Sequence, residues 1–226
     1  KRTPDGTRWW IQIDNLSPQT EYAYQYFVDG NLRIPDPYTE KILDPSNDAY
    51  VSASVYPNLK AYPAGKTTGL VSTFIPSPTA YNWQINNFSR PAKTDLVIYE
   101  MHIRDFVTEH SYAAAVAKLT YLKNLGINAI ELMPVNEFEG NNSWGYNPSF
   151  YFAADKYYGT KQALQNFIDE CHKKGIAVII DMVLNHSFGQ SPMVQLYWDS
   201  ANNRPAANNP WFNTADKHPY GVGYDF

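Results

Sequence analysis

The chain has 226 residues, 44% of them apolar, which is enough for one large domain or two small ones with a substantial core. A formal charge of −4 with no basic block excludes nucleic acid as a natural partner, and no apolar run is long enough for a membrane span. The single cysteine, Cys171, excludes an internal disulfide. The first residue is not Met and the chain starts inside what reads as a strand unit, so it reads as a piece of a longer protein. The lack of a signal peptide then carries no weight.

Residues 8–13 alternate, with Trp9, Ile11 and Ile13 on one face and Arg8, Trp10 and Gln12 on the other. Residues 14–18 supply a turn. Residues 21–28 alternate again through Tyr22, Tyr24, Tyr26 and Val28, and Asp29-Gly30 predicts a two-residue hairpin. The pattern over residues 1–50 predicts the last strands of an antiparallel β-sandwich. Trp10 reads either as a sugar-stacking platform or as packing against a neighbouring domain, and the usual burial of Trp favours packing. Residues 33–91 then carry prolines at 35, 37, 45, 57, 63, 76, 78 and 91. Residues 51–94 read as a Pro- and Tyr-rich connector with one short strand at 70–75.

From Asp95 the pattern becomes α/β. Residues 96–103 (LVIYEMHI) predict a first strand. Ser111 caps a helix over 112–125 whose apolar stripe is Tyr112, Ala115, Val116, Leu119 and Leu122, and Gly126 stops it. Residues 127–135 (INAIELMPV) predict a second strand. Thr160 caps a second helix with Leu164, Phe167, Ile168 and Cys171 on one face, Lys173 and Lys174 at its negative end, and Gly175 after it. Residues 175–186 (GIAVIIDMVLNH) predict a third strand buried on both faces, with Asp181 inside it and Asn185 and His186 at its exit. This is β-α-β-α-β with right-handed crossovers. The long connections at 136–159 and after His186 both leave carboxyl ends of strands, the side that carries chemistry in α/β folds.

Glu100, Asp105, Glu131 and Glu137 lie near the first two strands. A pair of them could form an acid/base couple, but structural partnerships are the commoner role there. His102, His110, His172 and His218 show no HExxH spacing, and no GxSxG segment supports a serine nucleophile.

Taken together, the segments AVIIDMVLNH, SWGYNPSFYFAADKYYGT (143–160), LVIYEMHIRDF and INAIELMPVNEF resemble the α-amylase family of glycoside hydrolases, in its pullulanase, isoamylase and branching-enzyme branch. WWIQIDNLSPQTEYAYQYFVDG is similar to the end of the immunoglobulin-like domain that precedes the barrel in that branch. The resemblance implies a (β/α)8 TIM barrel, of which residues 95–226 supply the first three β/α units, with an inserted domain starting near residue 187.

It also implies an enzyme cleaving α-1,4 glucan with retention through two carboxyl groups. Debranching at α-1,6 bonds, branching transfer and non-catalytic glucan binding stay open as alternatives. The family's catalytic carboxylates follow strands four, five and seven, so they are expected beyond residue 226 and none is assigned in this chain. By the same resemblance, Tyr146 stacks on a sugar, His186 hydrogen-bonds it, and Asp181 organises the site from beneath. Asn185 matches a calcium ligand of many members, although the pullulanase-like branch often lacks the ion, so calcium is left open and no other cofactor is expected. The expected partner is an α-glucan, with a weak preference for a periplasmic or secreted home.

Overall fold

The computed structural model describes residues 1–219 and 221–226. In chain order its first strands are β1 (Tyr22–Tyr24), β2 (Tyr26–Val28), β3 (Leu32–Ile34), β4 (Ile42–Leu43) and β5 (Val71–Phe74). A hairpin forms between β2 and β3 where expected, but its loop has three residues rather than two: Val28 pairs with Leu32 across Asp29, Gly30 and Asn31. Asp29 and Gly30 both take positive φ, 51° and 73°, which matches the right-handed twist of the flanking strands. The expected strand over 21–28 is broken at Gln25, whose side-chain amide donates to the carbonyls of Thr68 and Leu70. The short strand expected at 70–75 forms as β5 and is the middle strand of an antiparallel sheet ordered β1-β5-β4. Of the expected sandwich, the described residues thus form one three-stranded sheet and a separate hairpin, and the central strand comes from within 51–94.

The expectation for residues 8–13 is corrected. They form no named strand, only an isolated bridge between Arg2 and Trp9. Their alternation offers a face, but no strand among the described residues pairs with it. Trp9 is 78% exposed, and Trp10 is half-exposed with the Lys1 ammonium 5.0 Å from its ring centre, so Trp10 is not packed away.

The second half contains β6 (Ile98–Met101), α1 (Ile103–Phe106), α2 (Tyr112–Val116), α3 (Leu119–Asn124), β7 (Ala129–Leu132), β8 (Asn136–Phe138), β9 (Pro148–Ala154), α4 (Lys161–Lys173), β10 (Ala177–Ile180), β11 (His186–Ser187), α5 (Pro192–Leu196), β12 (Trp198–Asp199), β13 (Arg204–Pro205) and β14 (Tyr224–Asp225). The three expected strands are parallel neighbours in the order β6, β7, β10. Ser111 accepts from the amide of Ala114 and Thr160 from that of Ala163, so both predicted caps hold. The first helix is shorter than expected. Ala117 and Lys118 donate three residues back, to Ala114 and Ala115, and this tighter turn divides 112–125 into α2 and α3.

Side-chain alternation gives the sheet two different faces. Tyr99, Met101, Ile130, Leu132 and Val178 pack into the main core with Leu119, Leu122, Phe167 and Cys171. Glu100, Glu131 and Ile179 stand in register across the other face. Strand three departs from expectation in two ways. It ends at Ile180, so Asp181 lies just beyond it rather than inside it, and its residues are half-buried or exposed rather than buried. The reason is that β10 is an edge, paired only with β7 among the described residues.

Candidate functional site

The site is assembled where β10 and the β8–β9 hairpin leave the sheet. Asp181 continues the ladder with one bond, its amide donating to the Leu132 carbonyl at 2.9 Å. This turns its carboxylate toward Tyr146, whose hydroxyl donates to Asp181 Oδ2 at 2.6 Å. Burial, then this bond, pushes the Tyr146 hydroxyl above its ordinary pKa, and the nearby charges of Glu100 and Glu131 add to the effect. Tyr146 therefore stays neutral, and the residue as a whole is 38% exposed.

A glycine makes this placement possible. Gly145 takes φ +90°, and a Cβ there would lie 2.4 Å from the Pro134 carbonyl oxygen. The loop before Tyr146 can thus press against the end of strand two. Ser143 Oγ accepts from the Gly145 amide and pairs with the Asn147 side chain, which closes the turn.

His186 is buried and sits against the same loop. Its Nε2 lies 2.8 Å from the Tyr146 carbonyl, and because a carbonyl only accepts, Nε2 carries the proton. In the neutral ring Nδ1 is then an acceptor, and it has no hydrogen-bond partner among the described residues. The Tyr151 hydroxyl donates to the His186 carbonyl at 2.5 Å and fixes the backbone. The chain after His186 covers the ring. β11 pairs antiparallel with β14, Gly223 lies where a Cβ would come within 2.7 Å of His186 Cδ2, and the His218 ring is 5.7 Å away. His186 thus lies buried beneath the loop whose exposed Tyr146 is held by Asp181.

Asp181, expected inside a strand buried on both faces, is instead half-buried and bonded to Tyr146. Asn185 is exposed, and its backbone carbonyl accepts from Phe226. Calcium needs about six to eight oxygens. Among the described residues no group of three or more acidic, His or Cys side chains could hold a metal. One exposed amide does not fit that requirement, so no step is assigned to calcium.

Asp105 and Glu137 take the structural roles their positions suggested. Asp105 joins His102 and Arg104, and the Arg104 guanidinium holds its carboxyl well below the usual range, with help from His102. Glu137 belongs to a group that sequence reasoning missed. Lys156, 3% exposed, pairs with Glu137 and lies 3.4 Å from Asp48, while Asp155 accepts from the amides of Phe138 and Tyr157. Burial opposes the charge on Lys156, but Glu137, Asp48 and Asp155 outweigh it and its pKa rises. Burial pushes the carboxyl pKa values of Glu137, Asp48 and Asp155 upward. The cluster ties the N-terminal half to the hairpin that carries Tyr146. Only the run of charges around a strand end, at 137 and 155–156, signalled it in the sequence.

A parallel β-α-β-α-β unit with its polar groups gathered at the carboxyl edge of the strands is the arrangement with which α/β folds, barrels among them, build their sites. Residues 113–222 match the alpha-amylase catalytic-domain family. The chain is 32% identical over 217 residues to the malto-oligosyltrehalose trehalohydrolase of Saccharolobus solfataricus, an alignment covering 96% of this chain and 32% of that protein. Among solved structures it is similar to a Salmonella typhimurium protein described as an alpha amylase, at 27% identity and a TM-score of 0.66 over 93% of this chain and 30% of that one. It is also similar to the group B streptococcal pullulanase SAP, solved with maltotetraose, at 26% identity and a TM-score of 0.55 over 74% of this chain and 25% of that one. The chain spans about a third of the length of the curated relatives it matches.

Proposed function

We propose that this chain is the opening part of an enzyme that cleaves α-1,4 linkages in an α-glucan with retention, and that it supplies part of the sugar-binding floor. The observation that carries this reading is the Tyr146 ring held over the strand ends by Asp181 and by the turn at Gly145. A pyranose presents an apolar C–H face that suits an aromatic face, and the hydroxyl bond to Asp181 keeps the ring from swinging away. His186 braces the same loop from beneath through the Tyr146 carbonyl.

The carboxyl pair is assigned to strands beyond β10. A retaining pair stands about 5 Å apart, one group as nucleophile and the other as acid then base. Glu100 and Glu131 are cross-strand partners in the sheet and are not assigned this role, because they stand one residue below the strand ends.

A narrower substrate reading is supported by the trehalohydrolase relative, whose alignment covers nearly the whole chain. The test is product analysis with the complete protein on soluble starch, pullulan and a malto-oligosyltrehalose. Release of α-configured products from an α-1,4-linked substrate supports the proposal. Initial products of inverted configuration, or cleavage confined to α-1,6 bonds, would overturn it.

A further inference from the structure

Two modules that are distant in sequence line an open cavity of about 610 Å³. One wall is the β2–β3 hairpin, through Val28 and Leu32. The other is α5 with the strands after it, through Val194, Leu196, Trp198 and Tyr224. Trp198 and Tyr224 meet edge to face with ring centres 5.2 Å apart. Tyr224 is the cross-strand partner of Ser187, next to the His186–Asp225 pair, so the cavity lies on the face of the β11–β14 ribbon away from His186.

The lining selects a chemical class. Asp29 is the sole charged side chain among the lining residues, and no Lys or Arg is present, so an anionic ligand finds no counter-charge. Asn31, Gln195 and Ser200 add neutral hydrogen-bonding groups, which a purely apolar ligand would leave unsatisfied. Gln195 donates its amide N–H to the Gly189 carbonyl, which fixes the side chain. Two aromatic rings, neutral donors and acceptors and one carboxylate suit a neutral polyhydroxylated molecule with an apolar face. The volume falls inside the range of roughly 300–1,000 Å³ usual for small-molecule sites.

We propose that this cavity is a glucan-binding site shared by the N-terminal hairpin and the loop after strand three, with sugar units held against Trp198 and Tyr224. The class of ligand rests on the α-glucan reading above. The site depends on the hairpin docking onto α5, so it couples the N-terminal half to the barrel half whenever a glucan bridges the two walls.

The test uses the complete protein, with maltoheptaose as the binding probe and calorimetry and tryptophan fluorescence as readouts. Binding is compared for the parent, Trp198→Ala, Trp198→Phe and Asn31→Ala, and hydrolysis of a short maltooligosaccharide is measured alongside. The expected result is a binding event that Trp198→Ala weakens roughly tenfold, as loss of an aromatic contact does. Trp198→Phe should restore most of it, Asn31→Ala should weaken it less, and short-substrate hydrolysis should stay at the parent rate. If Trp198→Ala does not fold, Asn31→Ala and Trp198→Phe carry the comparison. Parent affinity in every folded variant overturns the site while leaving a measured glycosidase activity standing. Trp198-dependent binding by a protein that cleaves no glucan supports the site and overturns the catalytic reading. Loss of affinity with an equal loss of short-substrate hydrolysis overturns the site.

Discussion

Replacing Lys156 by Met tests how the two halves of the chain are held together. The side chain is 3% exposed and faces Glu137 and Asp48, themselves 7% and 12% exposed. Met matches its length and fills the space but removes the charge. Glu137, Asp48 and Asp155 would then share a buried site with no cation. Breaking a buried pair in this way costs about 3–5 kcal/mol. The pH dependence identifies the cause. Burial already raises these carboxyl pKa values, and loss of the ammonium raises them further. The folded variant then binds more protons than the unfolded chain above the ordinary carboxylate range, so its stability falls as pH rises through the raised values. In the parent, the raised Lys156 pKa keeps the ammonium charged throughout the neutral range, and its contribution is lost only in strong alkali. Thermal unfolding of the complete protein and its variant, at about pH 5 and about pH 8, should show a larger deficit at the higher pH. A second change, Glu137→Gln, should recover part of that deficit. A deficit below about 1 kcal/mol, or one independent of pH, would show that the cluster does not carry the charge balance described.

Gly145→Ala should disturb the site without touching a polar group. A Cβ 2.4 Å from the Pro134 carbonyl, at φ +90°, forces the loop away from strand two and carries Tyr146 with it. In the complete enzyme kcat/KM should fall at least as far as it does in Tyr146→Phe; parent activity would show that the close approach is dispensable. Residues 1–226 made alone should release no reducing sugar from starch and should unfold without a cooperative transition. The edge of β10 leaves Ile180 37% exposed and Leu184 beyond it 69% exposed, which favours association. Glucan cleavage above a buffer control, or a cooperative monomeric transition, would refute this prediction.

The parallel core was legible because its signals are local. Ser111 and Thr160 each cap a helix with their own side chain, Gly126 and Gly175 stop the helices with positive φ, and strands one to three read as apolar runs. The hairpin at Asp29-Gly30 was legible for the same reason, except that its loop includes Asn31 as a third residue. Residues 8–13 misled because alternation specifies a face and not a partner. Strand three misled because an apolar run is the same whether its strand is central or at an edge; only the pairing, with β7 alone, distinguishes the two. Asp181 and Tyr146 are 35 residues apart and Lys156 and Asp48 are 108 apart, so neither pair leaves a local pattern. The cavity between β2–β3 and α5 is invisible in sequence for that reason too.

The central claim is that the Tyr146 ring, held by Asp181, binds the sugar beside the cut. The most direct measurement is kcat/KM of the complete enzyme on soluble starch for the parent, Tyr146→Phe and Tyr146→Ala. Loss of the ring should cost about 1–3 kcal/mol of transition-state stabilisation, a fall of roughly fivefold to more than a hundredfold. Tyr146→Phe keeps the stacking face and should fall less, losing only the anchor to Asp181. Parent kcat/KM in Tyr146→Ala, in a protein shown to be folded, would contradict the assignment of this surface as the sugar site.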